Sequence, residues 1–214
     1  MEEKLKKVYD ENFELRNKII IRYNIETALK IHKEFIAENE NYLDNPKRKI
    51  IISHLRTFAI ERQLYNSSFF PQSPYSAYYE EVNSFHYPVL YLETEDFVIN
   101  LAKTPKYNRI PFNSKYRLKN ARNNEEISGQ INLFDKAENS DKKYAFIIYG
   151  VDKESNITHM GIMLPDSQLK SFYNYDNLLE LPHAVKGIEI NQTMDEESLV
   201  KFRKELSSEM SKII

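Results

Sequence analysis

The sequence predicts an α+β fold: N-terminal helices, a central antiparallel sheet of hairpins, and a C-terminal helix. Three observations predict it. Apolar residues recur at helical spacing through the first third of the chain, change to strand-like runs after Tyr87, and return to a helical pattern after Thr193. With 214 residues the chain is long enough to bury a core without covalent staples. One domain over residues 1–214 is therefore expected, with a helical part at 1–70, a β-rich part at 75–190 and a helix at 193–212.

The elements follow in order. Leu5, Val8, Tyr9, Phe13, Ile19 and Ile20 share a helical stripe, as do Ile25, Leu29, His32, Phe35 and Ile36. Asn45-Pro46 interrupts the pattern, and Pro46 suits the start of a third helix carrying Ile51, Leu55, Phe58 and Arg62. Asn66-Ser67-Ser68, followed by Pro71 and Pro74, ends it and marks the one place where the chain could divide. Val89–Glu93 and Phe97–Lys103, joined by Thr94–Asp96, read as a hairpin. Lys143–Val151 and Ile157–Leu164 read as a second. Between the hairpins lies a polar, irregular span with a short strand predicted near Ile127–Phe134. Asp166 is placed to cap a short helix over 167–173, and Thr193 with Glu196 has capping-box spacing for the last helix.

Composition excludes several function classes. Hydrophobic residues at 41% and charged residues at 29% describe a globular chain rather than a disordered one. With no Cys, a disulfide framework and thiolate zinc sites are excluded. No apolar run reaches membrane-spanning length, and the charged stretch Met1–Lys7 has no signal-peptide character, so no membrane partner and a cytoplasmic location are expected. Four Gly leave no phosphate-cradling loop. A net charge of −2 gives no global attraction to nucleic acid, so any such contact must be local.

One local feature fits. From Thr104 to Asn124 the chain carries Lys106, Arg109, Lys115, Arg117, Lys119 and Arg122 with no Asp or Glu, and Tyr107, Phe112 and Tyr116 are interleaved. Cations neutralise phosphates and aromatic faces stack on unpaired bases, so these residues are candidates for nucleic-acid binding. The competing reading is a solvated strand pair or loop whose charges balance the acidic segments Glu38–Asp44 and Glu93–Asp96.

Downstream stands Gln130-Ile131-Asn132-Leu133-Phe134. It resembles the bacterial sliding-clamp-binding pentapeptide: Gln, an aliphatic residue, a small polar residue, Leu and Phe. The resemblance covers five residues and implies a partner, the replication sliding clamp, without implying a fold. Gln130 would supply hydrogen bonds, and Leu133 and Phe134 would fill an apolar pocket. Ile131 replaces the usual Leu, and Asn132 stands where Ser or Asp is common. Gly129 and polar flanks favour presentation to solvent, whereas the shared parity of Ile127, Ile131 and Leu133 suits the inner face of a strand.

Catalytic patterns are sparse. A metal-dependent nuclease needs clustered carboxylates and a nearby Lys; Glu93, Asp96 and Lys103 are the candidates, with Glu80 and Glu81 on a preceding segment. The restriction-endonuclease-like families place an acid two residues before that Lys on one strand, and position 101 here is Leu. No cofactor is expected, Mg²⁺ entering only with the nuclease alternative. His32, His54, His86, His159 and His183 show no ligand spacing. Glu61, in the polar set His54, Arg56, Glu61 and Arg62, is expected to pair along its helix or face water. The cluster Phe69, Phe70, Tyr75, Tyr78 and Tyr79 supports a third reading, a protein-binding module with an unrelated partner. The leading expectation is an interaction protein of bacterial or phage-type DNA metabolism that docks on the clamp and contacts nucleic acid.

Overall fold

The apolar stripes of the first third do form helices, and they share one face of a sheet. The structure, a computed structural model, describes residues 3–44, 46–84, 86–124, 142–182 and 195–213. Helix α1 spans Glu3–Asn12, α2 Leu15–Glu38 and α3 Arg48–Ser67. The first predicted stripe divides, Leu5, Val8 and Tyr9 lying on α1 and Ile19 and Ile20 on α2, which runs on without a break through the second stripe and is buried from Ile19 to Phe35. Strands β1 Ser76–Glu81, β2 Pro88–Glu93 and β3 Phe97–Lys103 follow, then helix α4 Lys115–Ala121. β4 Lys143–Val151, β5 Ile157–Pro165 and β6 Phe172–Asn177 complete the sheet, and α5 Glu196–Ile213 is the last helix. The α+β class is as the sequence predicts.

The sheet has six strands in sequence order, β1 to β6, among the described residues. Both predicted hairpins are present, β2 with β3 and β4 with β5. The sheet is not wholly antiparallel, however: β3 and β4 run parallel, with Val98 opposite Tyr144 and Lys103 opposite Tyr149. A parallel neighbour cannot be reached by a tight turn, so the chain between them must cross a face of the sheet. The edge strands β1 and β6 are not predicted; their polar, tyrosine-rich sequences, exposed or half-buried along their length, carry no apolar alternation.

Two cores result. On one face α2, α3 and α5 pack Ile25, Leu29, Leu55, Ile60, Phe202 and Leu206 against Leu90, Ile99, Ile147 and Ile162, so residues on both sides of 67–75 share one core. On the other face α4 packs Leu118 and Ala121 against Tyr91, Val98, Tyr144, Phe146 and Met163. β4 is buried on both faces from Tyr144 to Gly150, which is why it reads as an unbroken apolar run. Two glycines admit neighbouring rings: a Cβ at Gly150 would lie 2.0 Å from the His159 ring, and one at Gly161 2.2 Å from Tyr175.

Polar contacts fix the layers. Gln63 Nε2 donates to Asn24 Oδ1 (3.0 Å) between α3 and α2, and Arg22 Nη1 donates to the Leu181 carbonyl (2.6 Å) beyond β6. Arg62 makes a two-pronged bond to Glu205 (2.7 and 2.6 Å), joining α3 to α5. The Thr94–Asp96 turn is latched to α1 by Asn12, whose Nδ2 donates to Asp96 Oδ2 (2.7 Å) and whose Oδ1 accepts from Thr94 Oγ1 (2.6 Å).

Two local expectations change. Residues 172–177 are strand β6, not the end of a helix after Asp166. The Asp166 carboxylate accepts from the backbone N–H groups of Gln168, Lys170 and Ser171, and Leu169 takes a φ of 55°. That closes a turn which returns the chain onto β5. At the last helix Asp195 Oδ1 accepts from Ser198 N (2.8 Å), so Asp195 is the cap; Thr193 lies outside the described residues.

Asn124 is the junction of the second core. Its Nδ2 donates to the carbonyls of Tyr144 (2.9 Å) and Pro165 (2.8 Å), and its Oδ1 accepts from Tyr144 N (2.9 Å). Replacing Asn124 with Ala would strand three buried backbone groups. A loss of roughly 2–4 kcal/mol in chemical denaturation is expected, and a loss under 1 kcal/mol would show that the junction is not structural.

Candidate nucleic-acid interface

The basic span is the first part of the β3–β4 crossover, so the sheet itself determines where it lies. It starts at Thr104, whose Oγ1 bonds His159 Nε2 (2.9 Å) and whose N–H donates to the Tyr149 carbonyl (3.0 Å). Burial holds the His159 imidazole below its usual pKa, which favours the neutral ring in that bond. A turn from Lys106 to Arg109 follows, then buried Pro111 and the short helix α4. The span ends at the Asn124 junction. Its backbone is anchored at both ends, while its outer side chains face water.

The six basic residues divide into two kinds. Lys106, Arg109, Lys115, Lys119 and Arg122 are exposed, and none forms an ion pair with another described residue. Arg117 is turned inward. Its Nη1 donates to the Phe112 carbonyl (2.8 Å), and its guanidinium lies 5.6 Å from the centre of the Phe146 ring and 5.5 Å from that of Tyr116. Arg117 therefore positions the loop rather than the charge.

The acidic segments do not balance this span. Glu38 pairs with Arg203 (2.8 Å), Glu40 with Arg48 (3.2 Å) and Glu93 with Lys142 (2.8 Å). Five cations are left to solvent on the α4 side, and the span is a loop and helix rather than a strand pair. Of the interleaved aromatics, Tyr107 packs on Tyr175 with ring centres 5.8 Å apart, Tyr116 joins the second core, and Phe112 is 93% exposed.

The other candidates are dispersed. Gln130, Leu133 and Phe134, with the strand predicted near 127–134, lie outside the described residues, as does His183. Glu93 ends β2 opposite Val98 and Asp96 immediately precedes β3, whereas Lys103 ends β3, roughly 20 Å further along at about 3.3 Å per residue. The two acids are engaged by Lys142 and Asn12, and Leu101 packs against the helical core. No group of three or more His, Asp or Glu able to hold a metal ion occurs among the described residues. Glu81 pairs with His86 on the exposed edge strand β1, and His54 with Glu209 (2.9 Å) on the helical surface. His32 is buried, its Nε2 against the Ile52 carbonyl (3.2 Å), and burial together with Arg56 lowers its pKa to about 4.

The aromatic cluster near Tyr75 is split between core and surface. Tyr75 is buried and bonded to Ser67 Oγ (2.6 Å), Tyr79 packs on Tyr65, Tyr78 stacks on Tyr91, and Phe69 is 70% exposed. No helix among the described residues is long and apolar enough to cross a membrane.

No protein-family model, no curated protein and no solved structure matches the chain.

Glu61 departs from its expected role. It neither pairs along α3 nor faces open water: it is half-buried and makes no hydrogen bond or ion pair with another described residue. Its charge is felt at Tyr79, Tyr87 and Tyr149, and burial raises its carboxyl to about 7. Helical periodicity could not reveal this, because the tyrosines come from β1, β4 and the approach to β2. The folded carboxyl keeps its proton to about pH 7 while the unfolded chain releases it near 4.5, so this group's contribution to stability is full below 4.5 and lost as pH rises to 7. Glu61→Gln should therefore match the wild type near pH 4 and exceed it at pH 8 by roughly 1–2 kcal/mol, after discounting for partial solvent access. Thermal melts at both pH values measure this, and a variant less stable at pH 8 would contradict an unpartnered carboxyl.

Proposed function

We propose that the protein is an interaction protein of bacterial or phage-type DNA metabolism, holding nucleic acid on the α4 surface and docking on the sliding clamp through Gln130–Phe134. The observation that carries the nucleic-acid part is the set of five exposed cations, Lys106, Arg109, Lys115, Lys119 and Arg122, without a carboxylate partner among the described residues. Exposed cations without an ion pair to a described residue also occur elsewhere, at Lys30, Lys153 and Lys201 for example, but only here do five fall within residues 106–122 with no Asp or Glu among them. A polyanion with closely spaced phosphates is the partner that such a surface neutralises.

The clamp part rests on the pentapeptide and its place in the chain. The segment carrying it leaves from Asn124 and returns at Lys142, and Asn123 Nδ2 donates to the Lys142 carbonyl (3.1 Å). Both flanking residues are thus tied to one corner of the sheet beside α4. The nuclease alternative lacks comparable support, since Glu93 and Asp96 flank the β2–β3 turn while Lys103 stands at the far end of β3. The reading as a module for an unrelated protein is weakened by Tyr75 lying in the core.

Two measurements test the proposal. Nucleic-acid affinity should fall as salt rises, with a log–log slope of about −3 to −5 for five phosphate contacts; an affinity indifferent to salt would remove the phosphate claim. Changing Leu133 and Phe134 together to Ala should abolish binding to a purified bacterial clamp without altering the melting curve. Unfolding of that variant would instead place both side chains in the core and end the clamp reading.

A further inference from the structure

Phe112 is the most exposed large apolar side chain among the described residues, at 93%. Its backbone is not loose. The carbonyl is held by Arg117 Nη1 at 2.8 Å, and Arg117 in turn lies over Phe146 and Tyr116. Pro111, immediately before it, is buried and has a restricted φ. The ring therefore projects into water from a fixed base. Burying a phenyl side chain is worth roughly 1.5–3 kcal/mol, and almost none of that is recovered here among the described residues.

The surroundings decide what would cover the ring. Lys106 and Arg109 precede it, Lys115, Lys119 and Arg122 follow it, and residues 104–124 contain no acid. An apolar protein partner gains nothing from five cations that have no carboxylate partner among the described residues. A duplex offers phosphates, but its base faces are already stacked on one another and give a phenyl ring nothing to cover. Only an unpaired strand offers a phosphate chain and free base faces together, and stacking on an aromatic platform is worth about 1–3 kcal/mol per base.

Resting on the nucleic-acid reading above, we infer that the α4 surface takes single-stranded nucleic acid, with Phe112 as the platform on which one unpaired base stacks. Arg117 is the positioning residue that fixes the platform. Tyr107, 56% exposed, already packs on Tyr175 and is the less available of the two exposed rings.

The test compares a labelled oligothymidine of about 20 nucleotides with a duplex of equal length, by fluorescence anisotropy at low salt. The wild type should bind the single strand more tightly than the duplex. Phe112→Ala should weaken single-strand binding roughly tenfold or more, leave duplex binding and the melting curve unchanged, and be rescued by Phe112→Trp. Equal loss on both oligonucleotides, or no loss on either, overturns the stacking platform while salt-dependent binding of the wild type keeps the broader reading. No binding of either oligonucleotide by the wild type, or binding of polyglutamate in their place, overturns both.

Discussion

Because β3 and β4 run parallel, the chain leaving Lys103 cannot return through a hairpin. It must travel the length of the sheet over one face before re-entering at Lys143. The face beneath α2, α3 and α5 is already filled, so residues 104–124 take the other side. There α4 covers the second core and the basic side chains point outward. The central burial of β4, the exposure of the five cations and the anchoring at Thr104 and Asn124 all follow from that single pairing.

Charge is sorted accordingly. On the helical side the cations are used to tie elements together: Arg62 to Glu205, Arg203 to Glu34 and Glu38, Arg22 to Glu26 and to carbonyls beyond β6. Surface pairs of this kind contribute little each, but they engage Glu26, Glu34 and Glu38 of α2 and Glu205 and Glu209 of α5. Of the six basic residues in the 104–124 span, Arg117 is the one turned inward. The chain is nearly neutral as a whole and strongly one-signed along a short stretch, which is the arrangement that local phosphate contact requires.

Legibility from the sequence varied with the kind of signal. Both hairpins and the third helix were readable because their apolar period, proline breaks and polar turns agree with one another. β1 and β6 were not, since an edge strand of Tyr, Glu, Asn and Asp carries no alternation to detect. Asp166 shows how one residue supports two readings: its carboxylate can cap a helix or close a turn, and Leu169 at φ 55° decides for the turn. The basic span was visible as composition, but its inward member, Arg117, was indistinguishable from the other five without Phe146 lying beneath it. The surroundings of Glu61 are hidden from its helix for the same reason, being built in part from strands far along the chain.

By itself the sequence determined the α+β class, the order of the main elements, the absence of thiol chemistry and the one-sided charge of residues 104–124. These depend on local periodicity and residue type, which act over a few neighbouring positions. The tertiary structure alone decided that β3 and β4 lie parallel, that the acids of Glu38–Asp44 and Glu93–Asp96 are not the partners of the basic span, and that Phe112 stands uncovered on an anchored backbone. Those outcomes depend on which distant residues compete for the same space and the same charge, and no short window of sequence contains that competition.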